Sequence, residues 1–154
     1  MKLNSKTDIN ATLNATFAGL ADFAAFERQV TQSGAEISRI DDLTQPGPGM
    51  MWAVRAEFRG KLQKITLELV DYDPPNSMQF HAATDGFEAN IKAELIALSA
   101  RETRMPVSVE IKAKSLAARL ILQSARLTKS SIMKRYRKGL NKFGSDLETR
   151  IKKA

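Results

Sequence analysis

The last 39 residues of the chain constrain it most. From Leu116 to Ala154 there is no proline. Leu116, Leu120, Leu127, Ile132, Tyr136, Leu140, Phe143, Leu147 and Ile151 recur at helical spacing. Such a stripe specifies an amphipathic helix. The pattern therefore predicts one helix from Leu116 to about Lys152, with Leu120, Leu127, Leu140 and Leu147 buried. Upstream, from about Ala35, the pattern is mostly that of strands. A strand-rich body closed by one long helix implies a sheet curled around that helix, an arrangement that encloses a cavity.

The remaining numbers bound what such a fold can do. At 154 residues, 43% hydrophobic and 27% charged, the chain has room for one globular domain, expected over residues 1–154. It contains no cysteine, which excludes disulfides, cysteine nucleophiles and thiolate metal sites. The missing disulfides point to the cytoplasm. The first residues, Met-Lys-Leu-Asn-Ser-Lys, lack the apolar core of a signal peptide. No apolar run approaches the ~20 residues needed to span a bilayer. The net charge of +7 is unevenly placed: residues 1–100 sum to −4, residues 101–154 to +11. That asymmetry marks the C-terminal third as a candidate surface for an anionic partner.

Along the chain, Lys2–Asn10 alternates as a half-buried strand. Two short helices follow, capped by Thr12 or Asn10 and by Asp22, the second ending at Ser33-Gly34. Glu36–Asp42 reads as a short strand, and Gln45-Pro-Gly-Pro-Gly49 as a loop. Met50–Arg59, Leu62–Tyr72 and Met78–Ala83 alternate as strands, separated by turns at Gly60-Lys61 and Asp73-Pro-Pro-Asn76. Asp85-Gly86 is a hairpin signal. Phe87–Ser99 satisfies both helical and strand spacing; the flanking turns favour a strand with Ile91 and Leu95 inward. Glu102–Lys114 alternates, with Pro106 suited to an edge or bulge. The short connections favour an antiparallel meander.

This order resembles the START-like, or SRPBCC, superfamily, with its helix-grip fold shared with the birch-pollen allergen. The likeness lies in architecture across the whole chain: the strand Lys2–Asn10, the helix pair Ala11–Gln32, the meander Glu36–Lys114 and the closing helix Leu116–Lys153. The run Ile65-Thr-Leu-Glu-Leu-Val-Asp-Tyr-Asp-Pro-Pro75 looks like the fourth strand and following turn. The resemblance implies an α+β helix-grip fold, in which a curved antiparallel sheet of about six to seven strands wraps one long C-terminal helix, with two short helices after the first strand. It also implies an apolar cavity. Members carry lipids, sterols, hormones or polyketides, and a few are cyclases or hydrolases; fold alone does not choose among them.

Catalytic candidates are few. His81 is the only histidine and sits opposite the Met78/Phe80 face, hence outward. The pairs Asp41-Asp42 and Asp71/Asp73 flank turns, where aspartates commonly cap backbone amides. Neither a metal-ligand set nor a phosphate-binding glycine loop is present, so no cofactor or metal is expected. The inward strand faces instead suggest cavity walls at Trp52, Val54, Phe58, Leu67, Phe80, Ile91 and Val109. Small inward residues, Ala56, Ala82, Ala89, Ala93 and Ala113, leave room between sheet and helix. Ser124, Thr128 and Ser131 lie near the helix's inner stripe and are candidate polar contacts, although each can instead bond its own backbone. Lys134, Arg135 and Lys138 crowd the helix and suit an anionic membrane surface. Nucleic acid is disfavoured, because Tyr136 and Phe143, the aromatics among these charges, fall on the buried stripe.

The sequence thus points to a non-enzymatic binder or carrier of a hydrophobic small molecule or lipid. One alternative is a cyclase- or hydrolase-like enzyme using His81, Tyr72 or an inward hydroxyl in the same cavity. A second is an interaction protein that meets an anionic partner through its basic helix.

Overall fold

The computed structural model describes residues 1–154. Strand β1 (Lys2–Ile9) leads into helices α1 (Leu13–Leu20) and α2 (Phe23–Gln32). Strands β2 (Glu36–Arg39), β3 (Met51–Phe58), β4 (Lys61–Asp73), β5 (Ser77–Thr84), β6 (Phe87–Glu94), β7 (Ile96–Ser99) and β8 (Glu102–Ala113) follow, then helices α3 (Leu116–Leu127) and α4 (Lys129–Lys153). The two short helices start where the sequence places their caps. The Thr12 hydroxyl accepts from the Ala15 amide at 3.1 Å, and the Asp22 carboxylate accepts from the Ala25 amide at 3.0 Å. Each satisfies an amide that the first helical turn leaves without a partner.

All strand pairs are antiparallel, in the order β1-β8-β6-β5-β4-β3-β2, with β7 also against β8. The first and last strands close on each other, from Lys2 opposite Glu110 to Ile9 opposite Thr103. The sheet has eight strands rather than six or seven. The segment Phe87–Ser99 is strand, and it divides at Leu95, whose amide leaves the ladder to donate to the Asn76 carbonyl at 2.8 Å. Leu95 is buried. Between β3 and β4 the chain reverses in two residues, Arg59 and Gly60, both at positive φ (52° and 78°), which matches the twist of a tight hairpin.

The closing helix differs from expectation in its first third. It breaks at Thr128 (φ −115°, ψ 24°), whose hydroxyl and amide both donate to the Ala125 carbonyl, at 3.3 and 3.1 Å. Lys129-Ser130-Ser131 follows, a run with weak helix preference in its serines. Below the break the expected stripe holds: Leu140 and Leu147 are buried, with Tyr136, Phe143 and Ile151 half-buried. Above it the stripe fails: Leu116, Leu120 and Leu127 are 73%, 57% and 88% exposed. Helix α3 instead turns Ala118, Leu122 and Ala125 toward the body. The physical reason is phase. The step from Leu127 to Ile132 is five residues, roughly 140° around a helix, so the upper leucines lie on the opposite face from the lower stripe.

Helix α4 lies against β1 at very short range. A Cβ on Gly144 would fall 2.8 Å from both Cγ2 and Oγ1 of Thr7, and one on Gly19 of α1 would fall 2.8 Å from Cδ1 of Leu147. Around these contacts the core gathers Ile9, Phe17, Trp52, Leu69, Met78, Met105 and Leu147. Two substitutions separate the halves of the C-terminal region. Leu147→Ala removes a fully buried side chain and is expected to cost about 2–5 kcal/mol, whereas Leu127→Asp, at an exposed position, is expected to stay within about 0.5 kcal/mol of the parent. Urea unfolding of the two variants measures both; a Leu127→Asp protein that fails to fold would contradict the break at Thr128.

Candidate functional site

An apolar cavity of about 290 Å³ lies between the sheet and helices α2 and α4. Its floor is Leu67 of β4, Phe80 of β5, Ile91 and Ala93 of β6, and Met105 and Val107 of β8. Alternation along each strand puts these residues on one face of the sheet. Cross-strand register then sets Phe80 opposite Ile91, and Ala93 opposite both Met78 and Val107. One wall is Phe23 and Phe26 on α2; the other is Leu140 and Phe143 on α4. The two helical pairs arise from spacings of three residues, which keep side chains on one side of a helix.

Three polar residues line the cavity, Asp22, Gln29 and Arg150, and of these the Asp22 carboxylate and the Arg150 guanidinium stand 4.0 Å apart. The Arg150 guanidinium is incompletely satisfied. Its two terminal nitrogens share the Gly19 carbonyl at 3.4 Å, and the Asp22 carboxylate stands 4.0 Å away. Its Nε–H is buried with no acceptor. A buried donor left unpaired carries a desolvation cost that a ligand acceptor would relieve. Asp22 is meanwhile engaged as the cap of α2.

The sequence-derived candidates scatter across this frame. Leu67, Phe80 and Ile91 line the cavity. Trp52 is fully buried behind it, with ring centroids 5.4 Å from Phe23, 5.9 Å from Phe26 and 6.5 Å from Phe80. Its Nε1–H donates to the Glu27 carboxylate at 3.2 Å, and the Arg39 guanidinium lies 5.6 Å above the ring. Val54 packs at the margin of the core, and Val109 continues the inward face of β8 one pleat beyond Val107, outside the cavity wall. Phe58 is not a wall residue: it is 63% exposed at the β3–β4 tip under the Arg59 guanidinium. Ser124, Thr128 and Ser131 do not reach the cavity either. They are exposed and border a separate polar depression with Arg59 and Arg135, because helical phase turns them away from the side of Leu122, Leu140 and Leu147. Lys134, Arg135 and Lys138 are exposed, and the ion pairs of α4 involve Lys142, Arg150 and Lys152 instead.

The α2 wall and Arg150 were not among the sequence candidates. The apolar side of α2 formed by Phe23, Phe26 and Val30 was a usable signal, but it reads equally as core. Nothing local marks Arg150, one of eleven Lys/Arg in the last 39 residues.

The remaining titratable groups have structural roles. Asp41 accepts from the Arg39 guanidinium at 2.5 and 2.7 Å, from the Leu43 amide at 2.9 Å and from the Met51 amide at 2.8 Å. The Arg39 hydrogen bonds, reinforced by the amides, hold its carboxyl far below the ordinary aspartate range. His81 lies on the outer face of β5, 3.3 Å from Glu88, which also meets Lys114 at 3.4 Å. The His81 and Lys114 contacts lower the Glu88 pKa. Tyr72 packs its ring 5.5 Å from Phe17. The Tyr136 hydroxyl donates to the Val107 carbonyl at 2.6 Å, and burial raises its pKa. No three His, Asp or Glu side chains cluster closely enough to hold a metal ion.

Several solved structures share the fold over nearly the whole chain. The Zhui aromatase/cyclase from Streptomyces sp. R1128 superposes with a TM-score of 0.70 at 13% identity, covering 98% of this chain and 95% of that one. Ara h 8.0201 gives 0.64 at 16% identity, covering 100% and 99%. A START superfamily protein from Mycobacterium smegmatis gives 0.57 at 10% identity, covering 87% and 95%. No family model and no curated protein matches the sequence. The chain therefore has the START-like, SRPBCC helix-grip fold, α+β with a long C-terminal helix, and identities this low speak to fold alone.

The Asp41 cluster gives a test of the structural reading. A carboxyl depressed in the folded state contributes stability fully above its unfolded pKa, near 4, and loses it as pH falls through the folded value. Asp41→Asn is thus expected to destabilise the protein at pH 7, with the gap to the parent narrowing in acid. Urea midpoints at pH 7 and pH 3 show this, and a gap that widens toward pH 3 would refute it.

Proposed function

We propose that the protein binds a hydrophobic small molecule or lipid, without chemistry, in the cavity between the sheet and helices α2 and α4. The observation that carries this reading is the lining: 11 of the 14 residues around a 290 Å³ space are hydrophobic, and two of the three polar ones, Asp22 and Arg150, stand 4.0 Å apart. Small-molecule sites have this composition, mostly apolar with a few convergent polar groups that fix orientation. The unpaired Nε–H of Arg150 favours a ligand with an acceptor, such as a carboxylate or carbonyl, beside it. The fold supports the same reading, since it is built around such a space in proteins of START type.

The cyclase- or hydrolase-like alternative draws support from the likeness to the Zhui aromatase/cyclase. It would require an acid and a base converging on the substrate. His81 lies on the outer face of the sheet, Tyr72 packs on Phe17, and Asp22 is held as a helix cap. Binding is therefore the better supported activity. The exposed Lys134, Arg135 and Lys138 favour a peripheral contact with an anionic membrane surface as a partner for delivery or loading. No helix is long and apolar enough to cross a membrane. A cytoplasmic setting fits the cysteine-free composition.

Native mass spectrometry of the purified protein, incubated with lipid and aromatic-acid panels, is expected to show a bound species. Phe80→Ala enlarges the floor and is expected to change the ligands retained, with little effect on the outer surface. Arg150→Met is expected to weaken acidic ligands roughly tenfold or more, the scale of one charge-assisted hydrogen bond, while sparing neutral ones. A protein that retains nothing from either panel would sink the binding reading.

A further inference from the structure

Helix α3 combines two features that a covered helix does not. Leu116, Leu120 and Leu127 fall within roughly 40° of one another on the helical wheel, and all three are among the most exposed large apolar side chains of the protein. Ile121, 58% exposed, lies roughly 100° around the helix from Leu120, on the side of the arc away from the arginines. The opposite side, Ala118, Leu122 and Ala125, faces the body. Arg119 and Arg126 flank the leucine arc on one edge of the wheel. Lys129, Lys134 and Arg135 continue the charge just past the break, and no acidic residue occurs from Leu116 to Ser145. The β3–β4 tip adds to this end of the molecule. Arg59 borders the same depression as Ser124, Ala125 and Thr128, and its neighbour Phe58 is 63% exposed.

We propose that the outer face of α3, with the β3–β4 tip beside it, docks on an anionic phospholipid bilayer. Leu116, Leu120 and Leu127 enter the acyl-chain boundary, while Arg119, Arg126, Lys129 and Arg59 lie at the phosphates. A helix with a leucine arc and basic flanks lies in the interface plane of a membrane for the same reason. The charge decides the occupant. An uninterrupted basic segment complements an anionic surface, and it repels a second copy of itself. The leucines stand clear of the body instead of lining a groove, which suits a fluid apolar medium better than a shaped protein partner. This inference rests on the anionic-surface reading above but not on the cavity, and it differs from that reading in requiring apolar insertion through α3.

The test uses the full chain with phosphatidylcholine vesicles, with and without 30 mol% phosphatidylglycerol (about 30%, a composition that gives a strongly negative surface). The parent is expected to co-sediment with the anionic vesicles and far less with the neutral ones. A Leu116→Ser, Leu120→Ser, Leu127→Ser variant is expected to bind roughly tenfold or more weakly with its unfolding midpoint unchanged, since all three side chains are exposed. Because the chain has no cysteine, Ser124→Cys gives a single attachment point for a nitroxide. On vesicles its spin relaxation is expected to respond more to dissolved oxygen than to a water-soluble nickel reagent. Three results overturn the proposal. The triple variant binds like the parent while neutralising Lys134, Arg135 and Lys138 abolishes binding, so that contact is through charge on α4 alone. The nitroxide stays in water on bound vesicles. Or the parent dimerises and the triple variant does not, making the face a self-association surface.

Discussion

The architecture depends on how closely α4 can approach β1. Gly144 lets the helix backbone come within van der Waals range of the Thr7 side chain, and Gly19 lets α1 come equally close to Leu147. A glycine inside a helix sacrifices about 1 kcal/mol of intrinsic preference relative to alanine. Here that loss is offset by burying Leu140 and Leu147 against the strands. The consequence is asymmetry. Pinned to β1, the first strand in the sheet order, α4 leaves the central strands β4, β5 and β6 without helical cover over Leu67, Phe80 and Ile91. The α2 helix roofs the far side with Phe23 and Phe26. What remains between the two roofs is the cavity.

The two ends of the C-terminal region then do different physical work. At its C-terminal end α4 brings Arg150 beside Asp22 and the Gly19 carbonyl, so a charged group is held near an otherwise apolar space. At the other end the break at Thr128 detaches α3 from the stripe below it, and the Asp85-Gly86 turn receives the start of α3. A Cβ at Gly86 would stand 3.3 Å from the Cβ of Ala118 and from the Ser115 hydroxyl. Helix α3 is therefore held at its N-terminal end by this contact and at its C-terminal end by α4, with an apolar arc turned outward between them.

Much of the fold was legible because period-2 alternation is a strong signal when one sheet face is buried. The strands at Lys2–Ile9, Met51–Phe58 and Ser77–Thr84 follow it closely, and Thr12 and Asp22 mark their helices by cap chemistry. The strand at Phe87 was resolved by its flanking turns, since Phe87, Ile91 and Leu95 suit either period. The upper part of the C-terminal region departs from the expected stripe, because its apolar residues change phase after Leu127. The five-residue step from Leu127 to Ile132 was visible in the sequence, and so were Ala118, Leu122 and Ala125, which keep phase with Ile132 and Tyr136. The site was less legible. Strand alternation located Leu67, Phe80 and Ile91, but which helix roofs a curved sheet depends on packing distances set by Gly19 and Gly144, and no local pattern encodes those. Ser124, Thr128 and Ser131 fall on the outer side by helical phase, and Phe58 is inward by alternation yet lies past the reach of any roof.

Trp52 is the only tryptophan in the chain, and it is buried directly behind Phe23, Phe26 and Phe80, with its indole N–H on Glu27 and a guanidinium above its ring. The intrinsic near-ultraviolet emission above that of tyrosine therefore originates from a single chromophore in contact with the cavity wall. Its emission wavelength is set by its burial and by the nearby charges of Glu27 and Arg39, and its three aromatic neighbours, Phe23, Phe26 and Phe80, themselves line the cavity. The protein thus carries its own optical gauge of whether that space is filled, requiring neither a label nor a second tryptophan to subtract.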